Sequence, residues 1–170
     1  MAQPAPERSE ATAKIAERLL KLVGDPKDLV ISAYWPFRGE PDLKPLLKRL
    51  RVAGAITALP VVVQKHQPLV FRAWSSGDKL EHGVWNIPFP AEGPEVTPDI
   101  VIAPVVGFDR ACFRLGYGGG FFDRTIAGLP SGVRFYGVGY DYQEISTIRP
   151  QSHDIPMLAI ATEAEIVRSE

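Results

Sequence analysis

An arginine, four glycines and an aspartate crowd the run Arg114-Leu115-Gly116-Tyr117-Gly118-Gly119-Gly120-Phe121-Phe122-Asp123. Glycines at this density strip side chains from the segment, so its N–H groups can approach a ligand closely and its backbone can take φ > 0. Arg114 supplies a cation for anionic oxygens, and Asp123 a carboxylate for a metal ion or a hydroxyl. The apolar run from Ile100 to Phe108 lies just upstream and reads as a buried strand. Strand, glycine loop and helix, in that order, present backbone amides and a helix N-terminus to an anion. The run matches neither common nucleotide fingerprint. Gly120 is followed by Phe121 rather than by the Lys-Ser/Thr that ends a P-loop, and Phe121 also occupies the third glycine of G-x-G-x-x-G. A tight turn between a strand and a close-packed helix would use the same glycines; the flanking Arg114 and Asp123 favour ligand binding.

Three other groups could do chemistry. Glu40 lies in the turn Pro36–Asp42, where carboxylates are often solvated or capping groups, and Asp42 is placed to cap the helix that follows. Trp85-Asn86-Ile87-Pro88 puts an indole among prolines, able to plug a core or to stack on a planar heterocycle. His153-Asp154 invites an acid–base reading, but no nucleophilic serine or cysteine elbow accompanies it, and Asp154 is expected as a helper carboxylate. His66 and His82 read as surface residues. No His/Cys cluster has zinc-ligand spacing, and the lone Cys112 reads as packing rather than as a nucleophile.

These groups need a scaffold, and the hydrophobic pattern supplies one. Ile15, Leu19, Leu22 and Val23 recur at helical spacing from about Ser9 to Val23, after a segment 1–8 expected as a disordered tail. Leu29–Trp35, Ile56–Val63, Leu69–Trp74, Val133–Val138 and Met157–Ala161 read as strands. Helices are expected over Leu43–Val52 and from about Gly120 to Ala127. The proline-rich stretch 83–98 reads as a long ordered loop or lid without regular structure. Alternating strands and helices with near-continuous apolar runs imply a mostly parallel sheet covered on both faces, in one α/β domain over 9–170. Ligands of such sheets bind beyond the carboxyl ends of the strands. The segments Trp35–Glu40, Phe108–Asp123 and Gly139–Gln143 each follow a strand, and all three are expected on one edge.

The 170 residues carry a formal net charge of -1, so no global basic field attracts nucleic acid. No run approaches the apolar length of a membrane span. With one cysteine and no signal-like N-terminus, the expected location is the cytoplasm.

The glycine run, together with Pro104-Val105-Val106-Gly107-Phe108-Asp109, closely resembles the signature of the 5-formyltetrahydrofolate cyclo-ligase family (5,10-methenyltetrahydrofolate synthetases). Tyr34-Trp35-Pro36-Phe37 with Gly39-Glu40, Trp85-Asn86-Ile87-Pro88 and His153-Asp154 fit it in order, over about residues 10–165. The resemblance implies cyclisation of 5-formyltetrahydrofolate to 5,10-methenyltetrahydrofolate with ATP and Mg²⁺, on a three-layer α/β/α sandwich like that of the sugar-phosphate isomerase and CoA-transferase group. It also implies roles: Arg114 and Asp123 catalytic; Arg114, Leu115, Gly116, Tyr117, Gly118, Gly119, Gly120, Phe121 and Phe122 around ATP. Trp35, Glu40, Trp85, Tyr117 and Phe121 would meet the reduced folate, and Asp123 with Asp154 the metal. Family members usually begin with a further helix bearing a Lys-x-x-x-Arg pair. Only 33 residues precede Tyr34 here, so that helix is expected to be absent, and Lys14 and Arg18 share its spacing on what aligns as the second helix. Phe121-Phe122 stands where the family often has two tyrosines. A non-catalytic folate- or nucleotide-binding relative is the competing expectation, and a sugar-phosphate isomerase or transferase a third.

Overall fold

Ile100–Pro104 forms the strand at the middle of an eight-stranded sheet, and four of its five residues are buried. Its side chains alternate between two apolar layers, as the pleat requires. Ile100 and Ile102 face a cluster with Ile15, Leu19, Leu47 and Leu50, while Val101 and Ala103 face one with Phe108, Phe135 and Ile160. A strand flanked by apolar matter on both faces must be apolar throughout, which is why the run shows no polar alternation.

The computed structural model describes residues 5–116 and 120–169. Helix α1 (Ala5–Val23) leads into β1 (Val30–Ser32), α2 (Lys44–Val52) and β2 (Ile56–Val61). Strand β3 (Val70–Ala73) turns back along β2, β4 (Leu80–His82) and β5 (Pro88–Pro90) form a separate hairpin, and β6 (Glu95–Val96) lies outside β3. The central strand, β7 (Ile100–Pro104), precedes a short hairpin of β8 (Gly107–Phe108) and β9 (Arg114–Leu115), then α3 (Phe121–Gly128). Strands β10 (Arg134–Val138), β11 (Ala159–Ala161) and β12 (Ile166–Arg168) complete the chain. Helices α1 and α2 cover one face through Ile15, Leu19, Leu46 and Leu50, and α3 packs on the other through Phe122 and Ile126. The expected α/β layering is observed.

The sheet runs β12-β11-β10-β7-β1-β2-β3-β6. The stretch β11-β10-β7-β1-β2 is parallel, and β12, β3 and β6 add antiparallel edges. Among the parallel strands the order reverses between β1 and β7, so the chain leaves these two neighbours in opposite directions. A crevice opens beyond their carboxyl ends, where open α/β sheets bind ligands.

Several elements depart from the sequence reading. Helix α1 starts at Ala5, so residues 5–8 of the segment expected as a tail are helical. Pro6 fits a first turn because its missing N–H would have no intrahelical partner there. The cap of α2 is Leu43 rather than Asp42, whose Oδ1 instead accepts the Lys44 N–H at 3.0 Å. The stretch 83–98 holds short regular pieces, β5, β6 and a 3-10 turn at Val84–Asn86. Prolines are tolerated there because β4 and β5 form an isolated two-stranded hairpin. The apolar run that starts at Ile100 breaks after Pro104, and Gly107–Phe108 turns away to pair with Arg114–Leu115. No helix among the described residues is long and apolar enough to cross a membrane.

Just beyond β10, the chain passes Val105 so closely that a Cβ on Gly139 would lie 2.5 Å from Val105 Cγ2 and 2.9 Å from Gln143 Oε1. Gly139→Ala is expected to cost about 1–3 kcal/mol in urea unfolding, and Val105→Ala in the same chain to recover part of it. Additive losses would show that the contact does not limit packing.

Candidate active site

Beyond the ends of β1 and β7 lies a cleft of about 490 Å³. Trp35 and Glu40 reach it from the segment after β1, and Trp85 from the β4–β5 hairpin. Arg114, Leu115, Gly116, Gly120, Phe121, Phe122 and Asp123 line it from the glycine run, and Asp154 from the C-terminal loop. Every expected site residue among the described ones is thus brought to one cavity; Tyr117, Gly118 and Gly119 lie outside the described residues. The segment Gly139–Gln143 reaches the same edge of the sheet, as expected, but does not line the cavity. It braces the cleft from behind: the Tyr140 hydroxyl donates to the Gly39 carbonyl at 2.8 Å, and Gln143 Nε2 to that of Val105 at 3.2 Å.

Arg114 is the central charge. Its Nε and Nη2 donate to the carbonyl oxygen of Pro104, the last residue of β7, at 3.1 and 2.9 Å. Its guanidinium carbon lies 5.0 Å from the centre of the Phe122 ring, within cation–π range. Desolvation lowers its pKa, with Asp123 and Glu40 acting the other way. Among the described residues no carboxylate stands within ion-pair distance of it. The cation is therefore fixed by a neutral carbonyl, and its charge is left for an anion in the cleft. Gly116 makes this possible, since a Cβ there would lie 2.7 Å from Arg114 Nη2. Gly120 turns the chain into α3 at φ 68°, in the left-handed region, and the helix has no side-chain cap. Residues of its first turn, Phe121, Phe122 and Asp123, line the cleft, and a helix N-terminus favours an anion.

Two of the cleft's carboxyls sit in turns of the same design. Glu40 Oε1 accepts the Phe37 N–H at 2.8 Å, while the Glu40 N–H donates to the Phe37 carbonyl at 3.2 Å. Asp154 Oδ2 accepts the Gln151 N–H at 2.7 Å, and the Asp154 N–H donates to the Gln151 carbonyl at 3.0 Å. Burial pushes Glu40 up to about 7, against the lowering effects of the Phe37 amide and Arg114. Its carboxyl therefore exchanges its proton near neutrality, as a group poised for hydrogen bonding to a polar ligand would. His153 Nε2 lies 3.6 Å from Asp154 Oδ1 and is largely exposed, so the pair forms no buried dyad. Cys112 is buried, its Sγ 3.3 Å from the Val167 carbonyl, and burial raises its thiol to about 11, which fits the packing role.

Aromatic rings supply flat walls. Trp85 and Phe37 stack at 5.8 Å with planes 7° apart, and Trp35 meets Trp74 edge-on at 5.8 Å. Trp85 is held at φ 54° and remains 53% exposed.

Three carboxyls line the cleft, Glu40, Asp123 and Asp154, and burial holds Glu40 toward its neutral form, which leaves Asp123 and Asp154 as those that could hold a metal. Among the described residues no group of three or more His, Cys, Asp or Glu side chains converges. Two carboxylates without a full cage suit Mg²⁺, which keeps water and takes further oxygens from phosphate.

Sequence reasoning assigned no role to Asp109. It is buried, and its Oδ1 accepts the N–H groups of Ala111 (3.1 Å) and Phe113 (3.2 Å) while Oδ2 accepts that of Ile148 (3.1 Å). The Asp-x-Ala spacing of an Asx turn was visible, but the long-range bond to Ile148 was not. Arg149 was also missed; it lines the cleft from a loop with no periodicity to mark it.

Fold and cleft together define an α/β protein with an arginine-bearing, glycine-rimmed crevice at the switch point of its sheet. Residues 2–163 match the model of the 5-formyltetrahydrofolate cyclo-ligase family. A 5-formyltetrahydrofolate cyclo-ligase of Haemophilus influenzae is 27% identical over 161 residues, 91% of this chain and 86% of that protein. One from Escherichia coli is 31% identical over 144 residues, 80% of this chain and 79% of that protein. The 5,10-methenyltetrahydrofolate synthetase structure from Aquifex aeolicus superposes with a TM-score of 0.83 at 28% identity, covering 99% of this chain and 86% of the other. The chain belongs to the 5-formyltetrahydrofolate cyclo-ligase family.

Glu40 has its ordinary pKa of 4.5 when unfolded and about 7 when folded. Its bound proton therefore stabilises the fold fully below about pH 4.5, and that contribution is lost as pH rises through 7. Glu40→Gln keeps the Phe37 contact without a buried charge. It is expected to be about 1–3 kcal/mol more stable than wild type at pH 8 and equal to it at pH 4, by urea unfolding. A pH-independent difference would remove Glu40 as the source. Asp109→Asn presents an amide to at least one N–H donor. It is expected to lose about 1–3 kcal/mol and to speed hydrogen exchange at Ile148 or at Ala111 and Phe113; unchanged exchange would contradict the joint.

Proposed function

We propose that this protein converts 5-formyltetrahydrofolate to 5,10-methenyltetrahydrofolate, consuming ATP and releasing ADP and phosphate. The observation that carries the reading is the cation of Arg114, anchored by a carbonyl at the mouth of a glycine loop with no carboxylate of the described residues within ion-pair distance. Family membership supplies the substrate class.

The chemistry explains why such a cation is needed. The formyl oxygen of a formamide is a poor leaving group. Transfer of the γ-phosphoryl group to it makes a phosphate ester. The neighbouring amine nitrogen of the same folate then attacks the formyl carbon and gives up its proton to the departing phosphate or to water, phosphate leaves with the C–O electron pair, and the five-membered ring closes. Ring closure is intramolecular and gains from positioning, while phosphoryl transfer gains from cations around the moving phosphate.

In this reading Arg114, the amides flanking Gly116 and Gly120, and the first turn of α3 hold phosphate oxygens. Leu115, Phe121 and Phe122 wall the nucleotide, with Phe122 also under the Arg114 guanidinium. Asp123 and Asp154 would hold Mg²⁺, which when bound neutralises charge on the phosphates. Glu40 meets the pterin's N–H groups, and Trp35, Trp85 and Phe121 offer planar surfaces to its rings. A carboxyl near its pKa can accept from or donate to the heterocycle without a large charging cost.

Mixing the protein with 5-formyltetrahydrofolate, ATP and Mg²⁺ is expected to raise the near-UV absorbance of the methenyl product. No rise, with folate still bound in calorimetry, would favour a folate-binding protein without turnover. Asp123→Ala is expected to lower turnover on the order of a hundredfold while the chain stays folded. Unchanged turnover would take Asp123 out of the metal role.

A further inference from the structure

Arg149 stands apart from the residues so far given roles. It lines the cleft that holds Arg114, Asp123 and Asp154, yet its backbone lies at φ 54°, in a region that bulky L residues seldom occupy. Such a conformation costs free energy and persists only when neighbours over-determine it. Here they do. The N–H of Arg149 donates to Thr147 Oγ1 at 2.9 Å, that of Ile148 to Asp109 Oδ2 at 3.1 Å, and that of Gln151 to Asp154 Oδ2 at 2.7 Å. The backbone on both sides of the arginine is thus tied down, while its guanidinium has no hydrogen bond or ion pair with any described residue. Asp154, five positions away, has its carboxyl engaged by the Gln151 amide and pairs with His153 rather than with Arg149.

The anchoring carboxylate also decides what this cation faces. One oxygen of Asp109 holds the amides of Ala111 and Phe113, immediately before Arg114; the other holds the amide of Ile148, immediately before Arg149. One buried side chain therefore sets the spacing of the two segments that bring arginines to the cleft. We propose that Arg149 is a second polyphosphate-binding cation, forming with Arg114 a two-armed clamp on the nucleotide's phosphates. The proposal rests on the nucleotide reading above. A folate's terminal carboxylates are the other anion an arginine at the mouth could meet. The tie to the Arg114 segment favours phosphate, because two coupled cations and a helix N-terminus match a chain of several adjacent charges.

The test measures equilibrium binding of MgATP, MgADP and 5-formyltetrahydrofolate separately, by calorimetry, on wild type, Arg149→Gln and Arg149→Lys. Because Arg149 is exposed, both variants are expected to unfold at the wild-type temperature. Arg149→Gln should weaken MgATP by about tenfold or more, as loss of a charge-assisted phosphate contact does, leave folate affinity within twofold, and flatten the salt dependence of nucleotide binding. Arg149→Lys should recover part of the loss. MgATP bound equally by wild type and Arg149→Gln would overturn this inference alone. A loss confined to folate would move Arg149 to the carboxylate end and also overturn it. Failure of wild type itself to bind MgATP would overturn the clamp together with the function from which it follows.

Discussion

The bond from the Arg114 guanidinium to the Pro104 carbonyl joins the scaffold to the chemistry. Pro104 ends the central strand, and its carbonyl lies where the sheet order reverses. A carbonyl at that place can fix a guanidinium without cancelling its charge, whereas a carboxylate would fix it and neutralise the site. Desolvation works against the cation, and the structure tolerates this because the positioning bonds are good and more distant carboxylates offset part of the cost. Much else follows from that arrangement. Gly116 has to lack a side chain, Phe122 has room to lie beneath the cation, and the short hairpin β8–β9 carries the arginine back over the strand it caps.

The sheet around β7 could be read from the sequence because its physics is local in pattern. Continuous apolar runs announce strands buried on both faces, and Ile100 to Pro104 is such a run. The i, i+4, i+7 spacing of Ile15, Leu19 and Leu22 announces α1 in the same way. The edges were harder. Strand β12 has three residues and is defined by its antiparallel partner β11, which periodicity does not reveal. The β4–β5 hairpin contains prolines that argue against strand, and only its isolation from the main sheet makes them acceptable.

The site divides along the same line. Arg114, Asp123, Glu40, Trp85 and Asp154 were recognisable because residue type and ordered motifs point to chemistry, and the fold then collects them in one cavity. Asp109 and Arg149 were not, because their significance lies in a bond between residues 39 positions apart. A carboxylate in a loop and an arginine beside a proline look ordinary in one dimension. Gly139–Gln143 reaches the ligand edge that its place after a strand implies, but its side chains are spent on bracing the turn at Gly39 and the end of β7.

The two halves of the cleft also differ in how they come into being. Glu40 and Asp154 are each placed by a turn that closes on itself within three residues, a contact that chain diffusion finds quickly and that depends little on the rest of the molecule. The basic half hangs on a bond ten residues long and on a carboxylate reaching across 39, both of which wait for the parallel sheet to register. Parallel registration is among the slower steps a chain must complete. The acidic turns need only their own few residues, whereas the cation reaches its place only with the sheet that carries it.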